Sequence, residues 1–506
     1  MSQQAADASG DMAASQARPL LLQVPPEILD RITWYLNTIE FCNLRLTCKF
    51  AEEALSFRFA TEFFTRKQFM VSEFSLKALI DISKSRMAGY LRQVHIGLDQ
   101  LDSASTGWSN MPPHAHRLYQ QRVAEQATLW TLGLVPKYLS EAFSRLPNLE
   151  AVVVRDFNSS KRSRDGPQAH WHSYGTQTMF EETRVRPKPM HMPNWSSHHE
   201  CDYAGRVFKA VIHGLGMANA RPSAIEVMER QGNLLFDSSF HIHPDSEPAL
   251  LPLLRALQRL HICIDVSWVS LGSAAHAYHH HNMAKFLRHC EALKDLRING
   301  KRRDVSSGTC TSLLLLFVRL DHLESISLGM MSLAVSELVG FITKLAATLQ
   351  HFELWRIQLM SEQGVHDDQL IEKRFSFFDQ FLKKLLTIPN LNLRHIKLGM
   401  LRQMFNPPFK HRVEQEVNFK TNLGKGGGGD GSNAGTEVVD RTNEDEPTTN
   451  SLEYTGPDWK HFVRYEMIPR LHVPKKQWPR EVQVSQQNYG GALVVADEPD
   501  SDDEED

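Results

Sequence analysis

The feature that most limits how this chain folds is a pattern of the form apolar-x-x-Leu-x-x-apolar-x-apolar. It stands at Ala88-Leu91-Val94-Ile96, Leu146-Leu149-Val152-Val154 and Leu254-Leu257-Leu260-Ile262. It returns at Cys290-Leu293-Leu296-Ile298, Leu320-Leu323-Ile326-Leu328 and Ala346-Leu349-Phe352-Leu354. Partial copies lie at Ile225 and Val227, and at Leu393, Ile396 and Leu398. Chance alone yields several matches in 506 residues, so the weight rests on what separates them. There, apolar residues recur at helical spacing: Tyr138, Leu139, Ala142, Phe143 and Leu146 in one gap, and Phe377, Phe381 and Leu385 with Phe378 and Leu382 in another. Short strands alternating with helices predict stacked βα units.

This motif is the strand half of a leucine-rich repeat, and residues 71–410 are expected to form an irregular leucine-rich-repeat-like βα solenoid. With Val94, Val152, Ile225, Leu260, Leu296, Ile326, Phe352 and Ile396 set equal, the steps are 58, 73, 35, 36, 30, 26 and 44. Regular repeats run about 20–29 residues, which only the block from 225 to 352 approaches. The longest insertion, about 155–196, carries Lys161, Arg162, Arg164, Trp171, Tyr174, Phe180 and Trp195 without periodicity. It reads as an unstructured loop over the solenoid, with nucleic-acid contact and target recognition as alternatives. Ser197-x-x-Glu200 has the form of a capping box that opens the next helix. Residues 411–453, with Gly426 to Gly429, read as a flexible linker. Residues 454–490 regain Trp459, Phe462, Tyr465, Ile468, Leu471 and Trp478, enough to cap the last open core edge. Residues 1–18 and the acidic end, 491–506, are expected to be disordered.

Residues 19–70 follow a different grammar. Pro25 and Pro26 open a helix with Ile28, Leu29, Ile32 and Leu36 on one stripe. A second helix carries Phe41, Leu44 and Leu46. A third starts near Lys49 and runs through Phe50, Ala54 and Leu55 toward Phe59, Phe63 and Phe64. The string Val24-Pro25-Pro26-Glu27-Ile28-Leu29-Asp30-Arg31-Ile32, then Leu36, then Leu44-Arg45-Leu46-Thr47-Cys48-Lys49-Phe50, resembles an F-box, with Val24 where the family has Leu. The continuation Phe63-Phe64-Thr65-Arg66-Lys67-Gln68-Phe69-Met70 is similar to filamentous-fungal F-box proteins with a degenerate repeat domain.

The resemblance implies an α/β chain with an N-terminal three-helix F-box followed by the solenoid. It implies a substrate-receptor subunit of an SCF-type cullin ubiquitin ligase, or a ligase-independent F-box scaffold. The F-box would hold a Skp-type adaptor, and the repeat domain a target protein. Transfer chemistry would belong to other subunits, so this chain is not expected to be an enzyme or to need a cofactor. A three-helix unit too small to cover its apolar side chains should bury them against a partner. Val24, Pro25, Pro26, Ile28, Leu29, Leu44 and Cys48 are the expected adaptor-binding residues, and Ile32 and Leu36 are expected in the bundle's own core.

Rival chemistry is poorly supported. His276, His279, His280 and His281, or His198 and His199 with Cys201, invite zinc, but consecutive histidines on a helix point apart and no second ligand pair has zinc spacing. No metal site is expected. Gly424-Lys425 followed by glycines lacks the strand, the Ser/Thr and the helix of a phosphate loop. Ser501 before Asp502, Asp503 and Glu504 suits an acid-directed kinase. Six cysteines without a C-x-x-C pair fit a reducing compartment, and no apolar run is long enough for a membrane span, so a cytoplasmic or nuclear protein is expected. The net charge of -3 hides unlike parts: residues 19–410 carry +8, and the acidic segments 411–453 and 497–506 carry -5 and -8. That balance allows acidic or phosphorylated targets; nucleic acid is not an expected partner.

Overall fold

A computed structural model describes residues 24–101, 112–158, 163–166, 172–189, 202–230, 234–265, 281–300, 320–361, 367–405, 413–421 and 447–474. The chain is a mixed α/β protein organised on a ten-stranded sheet. Nine strands lie parallel in chain order: Arg66–Met70, Gln93–Gly97, Ala151–Arg155, Ala224–Met228, Arg259–Cys263, Asp295–Asn299, Ser325–Gly329, His351–Trp355 and His395–Gly399. Ser451–Thr455 closes the far edge antiparallel.

The register is that of the repeat pattern. Val94 pairs with Val152, Val152 with Ile225, Ile225 with Leu260 and Leu260 with Leu296. Leu296 pairs with Ile326, Ile326 with Phe352 and Phe352 with Ile396. These are the eight positions set equal in the sequence, and all are fully buried. Two residues on, Ile96, Val154, Val227, Ile262, Ile298, Leu328, Leu354 and Leu398 make a second buried row on the same face. Parallel neighbours require crossovers, and helices supply those that the described residues cover. Glu73–Lys84, Leu134–Phe143, Tyr203–Ala218, Glu247–Ala256, His281–Arg288, Val335–Leu345 and Phe377–Thr387 send Leu79, Leu139, Phe208, Leu253, Phe286, Phe341 and Phe381 into one continuous core. Gly214 lets two of these helices nearly touch, since a Cβ there would lie 2.8 Å from the Cβ of Leu139.

Several expectations are corrected. The third N-terminal helix is two, Lys49–Ala54 and Ser56–Phe64, because the backbone turns at Leu55 (φ -95°, ψ -2°). The unit therefore has four helices. Arg66–Met70, assigned from sequence to the bundle, is the first strand of the sheet; Lys67 occupies the position that Val94 fills next door, which hides the motif. Residues 411–453 are not a linker throughout. Val413–Lys420 is a strand paired with Leu401–Phe405, with Val417 and Phe419 buried in the core. Gly424 to Gly429 lie outside the described residues.

A second sheet was not anticipated. Ser332–Ala334, Gln358–Met360 and Leu401–Phe405 run parallel, each just after a strand of the main sheet. The chain turns each corner through Met330, Arg356 or Met400, with φ of 55°, 56° and 53°. Each corner N–H donates to a carbonyl of the following layer, at Trp355 (3.0 Å), Gly399 (2.9 Å) and Asn450 (2.7 Å). Beyond Thr455, short helices from Trp459 to Arg470 dock Trp459, Val463 and Met467 into the end of the core. Trp478 lies outside the described residues. No helix among the described residues is long and apolar enough to cross a membrane.

The insertion after Arg155 is not an unstructured loop where it is described. It runs back over the start of the sheet. Tyr174 bridges to Phe69 on the edge strand, and Lys188–Pro189 pairs with Asp99–Gln100. The helix Thr176–Thr183 adds Met179 to a small cluster with Met70, Leu101 and Tyr119. Ser197 and Glu200 lie outside the described residues; the next helix opens at Tyr203, after Asp202.

Candidate interaction surfaces

The N-terminal bundle has a core of its own, separate from that of the sheet. Leu29, Phe41, Leu55 and Phe63 are buried together, with Leu36, Leu44, Ala54, Phe59 and Phe64 packed around them. The helices are well specified locally. Pro26 sits at the first helical position, and Asn37 and Glu40 form a reciprocal capping box. Cys48 caps the third helix, its Sγ accepting from the Ala51 N–H at 3.5 Å.

So small a core leaves much apolar surface outside. Ile28, Ile32, Trp34, Tyr35, Ile39, Leu46, Phe50 and Phe57 are all exposed, Tyr35 at 90%, Ile39 at 72% and Leu46 at 69%. Elsewhere among the described residues the exposed large apolar side chains lie far apart in sequence, with only Phe74 and Tyr174 stacked together, which is ordinary for a folded surface. A run of them within thirty residues is a concentration of exposed apolar surface that a folded unit does not need for itself, and it is the candidate interaction surface.

The residues expected at an adaptor contact divide. Pro25, Pro26 and Ile28 are exposed, and Val24 is half-buried. Leu44 and Cys48 are half-buried, Leu44 against the bundle core. Leu29, at 1% exposure, lies inside that core and is not available to a partner. Ile32 goes the other way: expected inside, it is exposed, while Leu36 does pack on the core. The sequence reading missed Trp34, Tyr35, Ile39 and Phe57. The signal was present in Trp34-Tyr35-Leu36-Asn37-Thr38-Ile39, where a turn between helices is apolar instead of polar.

The second surface is the face of the main sheet turned away from the helices. Its residues alternate with the buried rows, and in the register row Glu226, His261, Arg297, Ser327, Glu353 and Lys397, all but Ser327 are charged or ionisable. His261 lies 3.1 Å from Asp295 and 4.0 Å from Glu226, and Arg259 lies 3.2 Å from Asp295. Arg297 reaches Glu353 at 3.3 Å, His395 reaches Glu353 at 3.4 Å, and Lys397 reaches Glu453 at 2.6 Å. Burial pushes the Asp295 carboxyl up, but hydrogen bonds from His261 and Ser325 and the nearby cations hold it below the usual range. Trp355 stands among these charges, 38% exposed, with its ring laid over Gly399, where a Cβ would lie 2.2 Å from it.

Toward the bundle the same face is sealed by the insertion. Arg155 donates to Gln68 through Nε (2.7 Å) and a second guanidinium nitrogen, Gln68 donates to Ser173 Oγ (2.8 Å), and Ser173 donates to Asp99. Burial, then the neighbouring Arg66 and Arg230, bring the Arg155 guanidinium down to about 10. Burial raises the Asp99 carboxyl and, with Arg155 and Arg66 beside it, drops His95 to about 3. These groups hold the insertion onto the sheet, and the described residues place no reacting constellation among them.

Among the described residues, no group of three or more His, Cys, Asp or Glu side chains could hold a metal ion. His198, His199, Cys201, His276, His279, His280 and Ser501 lie outside the described residues, as do Lys161, Arg162, Trp171 and Trp195. No family model matches this chain, and no curated protein matches it in sequence.

Proposed function

We propose that this chain is the substrate-receptor subunit of an SCF-type cullin ubiquitin ligase. In this reading the N-terminal bundle is an F-box that docks a Skp-type adaptor, and the sheet body is an irregular leucine-rich-repeat-like solenoid. The observation that carries it is the bundle's inverted surface: Trp34, Tyr35, Ile39, Leu46 and Phe50 stand exposed around a core with only four buried large apolar side chains, Leu29, Phe41, Leu55 and Phe63. A standard interface of about 1,600 Å² would cover such a patch. The repeat reading draws support from the eight register-matched strand positions and their buried apolar row. The charged face around Trp355 is then the surface for the target, and the net charge of +8 over residues 19–410 favours an acidic or phosphorylated one. The receptor supplies proximity, and the chemistry is done by other subunits.

Co-purification of the full chain with a Skp-type adaptor tests the reading. Stoichiometric association is expected, and Tyr35→Ala combined with Ile39→Asp should weaken it at least about tenfold, as loss of buried interface anchors does. No association, or association indifferent to that variant, would overturn the assignment. Recovery of adaptor without cullin would turn it toward the ligase-independent scaffold.

A further inference from the structure

The insertion after the third strand does more than seal the sheet edge. Residues 163–166 reach the N-terminal bundle, far away in sequence, and are tied into it by polar contacts. Arg164 donates through Nε and a terminal nitrogen to the two oxygens of Glu62, at 2.5 and 2.6 Å. Its other terminal nitrogen donates to the carbonyls of Thr33 and Leu36, both at 2.9 Å. The guanidinium also lies over the Phe41 ring, 4.8 Å from its centroid. Next to it, Asp165 accepts from the Thr38 N–H at 2.8 Å and from the Thr38 hydroxyl at 2.6 Å.

One side chain thus joins the end of the first helix, the turn after it, the second helix through Phe41, and the fourth helix through Glu62. The Arg164 side chain is only 5% exposed, and a planar fork that meets a carboxylate with two parallel bonds fixes angle as well as distance. The bundle needs such a tie, because its core cluster does not merge with that of the sheet. Its other attachments include the continuous chain from Phe64 into Arg66–Met70, the edge contact of Phe57 with Tyr90 (6.2 Å between centroids) and the ion pair of Arg86 with Glu52. The far end of the insertion is held on the sheet by Ser173 and Tyr174, through Gln68 and the edge-strand backbone.

We infer that the described parts of the insertion, residues 163–166 and 172–189, act as a strap that sets the angle of the bundle against the sheet, with Arg164 and Asp165 as its positioning residues. Resting on the function proposed above, the strap holds the adaptor-docking patch and the target-facing sheet surface in one fixed relation. A receptor that works by proximity depends on that relation.

The test uses the full chain with spin labels at Tyr35→Cys and Met217→Cys, both exposed positions, one on the bundle and one on a sheet helix. The background has serine for every native cysteine except the buried Cys263 and Cys290. A single narrow distance distribution is expected for the otherwise native strap. Arg164→Ala with Asp165→Ala should broaden it at least about twofold while the far-ultraviolet circular dichroism is unchanged, and Arg164→Lys, which keeps the charge but loses the fork, should fall between. Asp165→Ala alone, which leaves no buried charge unpaired, should broaden it in the same sense. An unchanged narrow distribution in the double variant would overturn the inference. So would a loss of helical signal together with the broadening in all three variants, since the strap would then hold the bundle's fold and not its angle. None of these readouts involves the adaptor, so a failure of adaptor association would leave the strap standing and remove only its role in presenting a target.

Discussion

The helical bundle and the sheet body put their apolar side chains in opposite places. In the body, two rows from every parallel strand of the repeat pattern and one face of each crossover helix close into a single core, and charges line the outer face. In the bundle, four side chains are buried together, and twice as many large apolar ones face outward. Burial drives folding in proportion to apolar area removed from water. The body therefore takes most of its apolar area out of water, whereas the bundle leaves much of its own exposed. The sharpest way to break this contrast is a pair of truncations measured by denaturant unfolding. Phe352→Ala empties a fully buried site beside Phe381 and should cost about 3–5 kcal/mol. Tyr35→Ala removes a ring that is almost wholly in water and should change stability by less than about 0.5 kcal/mol. Equal losses would mean that the bundle's outer residues already serve its fold.

Acid should separate the two regions in the same direction. The bundle, residues 24–65, contains no histidine, whereas the body holds His95 buried beside Arg155 and Arg66. Burial brings that imidazole from its ordinary 6.5 to about 3 in the fold, so the unfolded chain takes up the proton first. The contribution is intact above pH 6.5 and is lost as pH falls from there toward 3. At pH 5 the loss amounts to roughly 2 kcal/mol. Asp99 and Glu229, raised by burial, act in the opposite sense and favour the fold at low pH. Comparing the native chain with His95→Gln at pH 7.5 and pH 5 isolates the imidazole: the variant should lose about 2 kcal/mol less on acidification. Identical losses would place the acid-sensitive step elsewhere.

How much of this was legible in the sequence follows the same division. The body's register was readable residue by residue, because a buried face with period two leaves its mark at every strand from Val94 to Ile396. It failed where the row is broken: Lys67 stands in the apolar position of the first strand, so Arg66–Met70 was assigned to the bundle. The second sheet left no comparable mark, since three-residue strands such as Ser332–Ala334 and Gln358–Met360 are too short for a period to show. In the bundle, helix positions were readable but facing was not. Leu29 and Ile32 lie on one stripe, yet one is in the core and the other in water, because so thin a core covers only part of the stripe. The strap was invisible for another reason. Arg164 in a run of Lys161, Arg162 and Arg164 looks like any solvated basic loop, and only the fold brings Glu62 to it.

The smallest expected effect concerns the corners that join the two sheets. Met330, Arg356 and Met400 occupy the left-handed region at equivalent places in three successive layers, although none is glycine. A side chain there sets Cβ against the following carbonyl, at about 1 kcal/mol or more per residue. Glycine relieves that strain but makes the unfolded chain more flexible, which takes back part of the gain. Met330→Gly should therefore raise stability by only about 0.5 kcal/mol, whereas Met330→Val, whose branched Cβ fits that region worst, should lower it by about 1 kcal/mol or more. No residue of the bundle has a positive φ, so glycine has no strain to relieve there. Asn37→Gly, which removes a capping side chain, should cost a few tenths of a kcal/mol. Opposite signs at the two sites, read as shifts in the denaturant midpoint at constant slope, are the expected result. If glycine lowered stability at Met330 as well, the corners would be held by packing of the methionine side chain and not merely tolerated as strain.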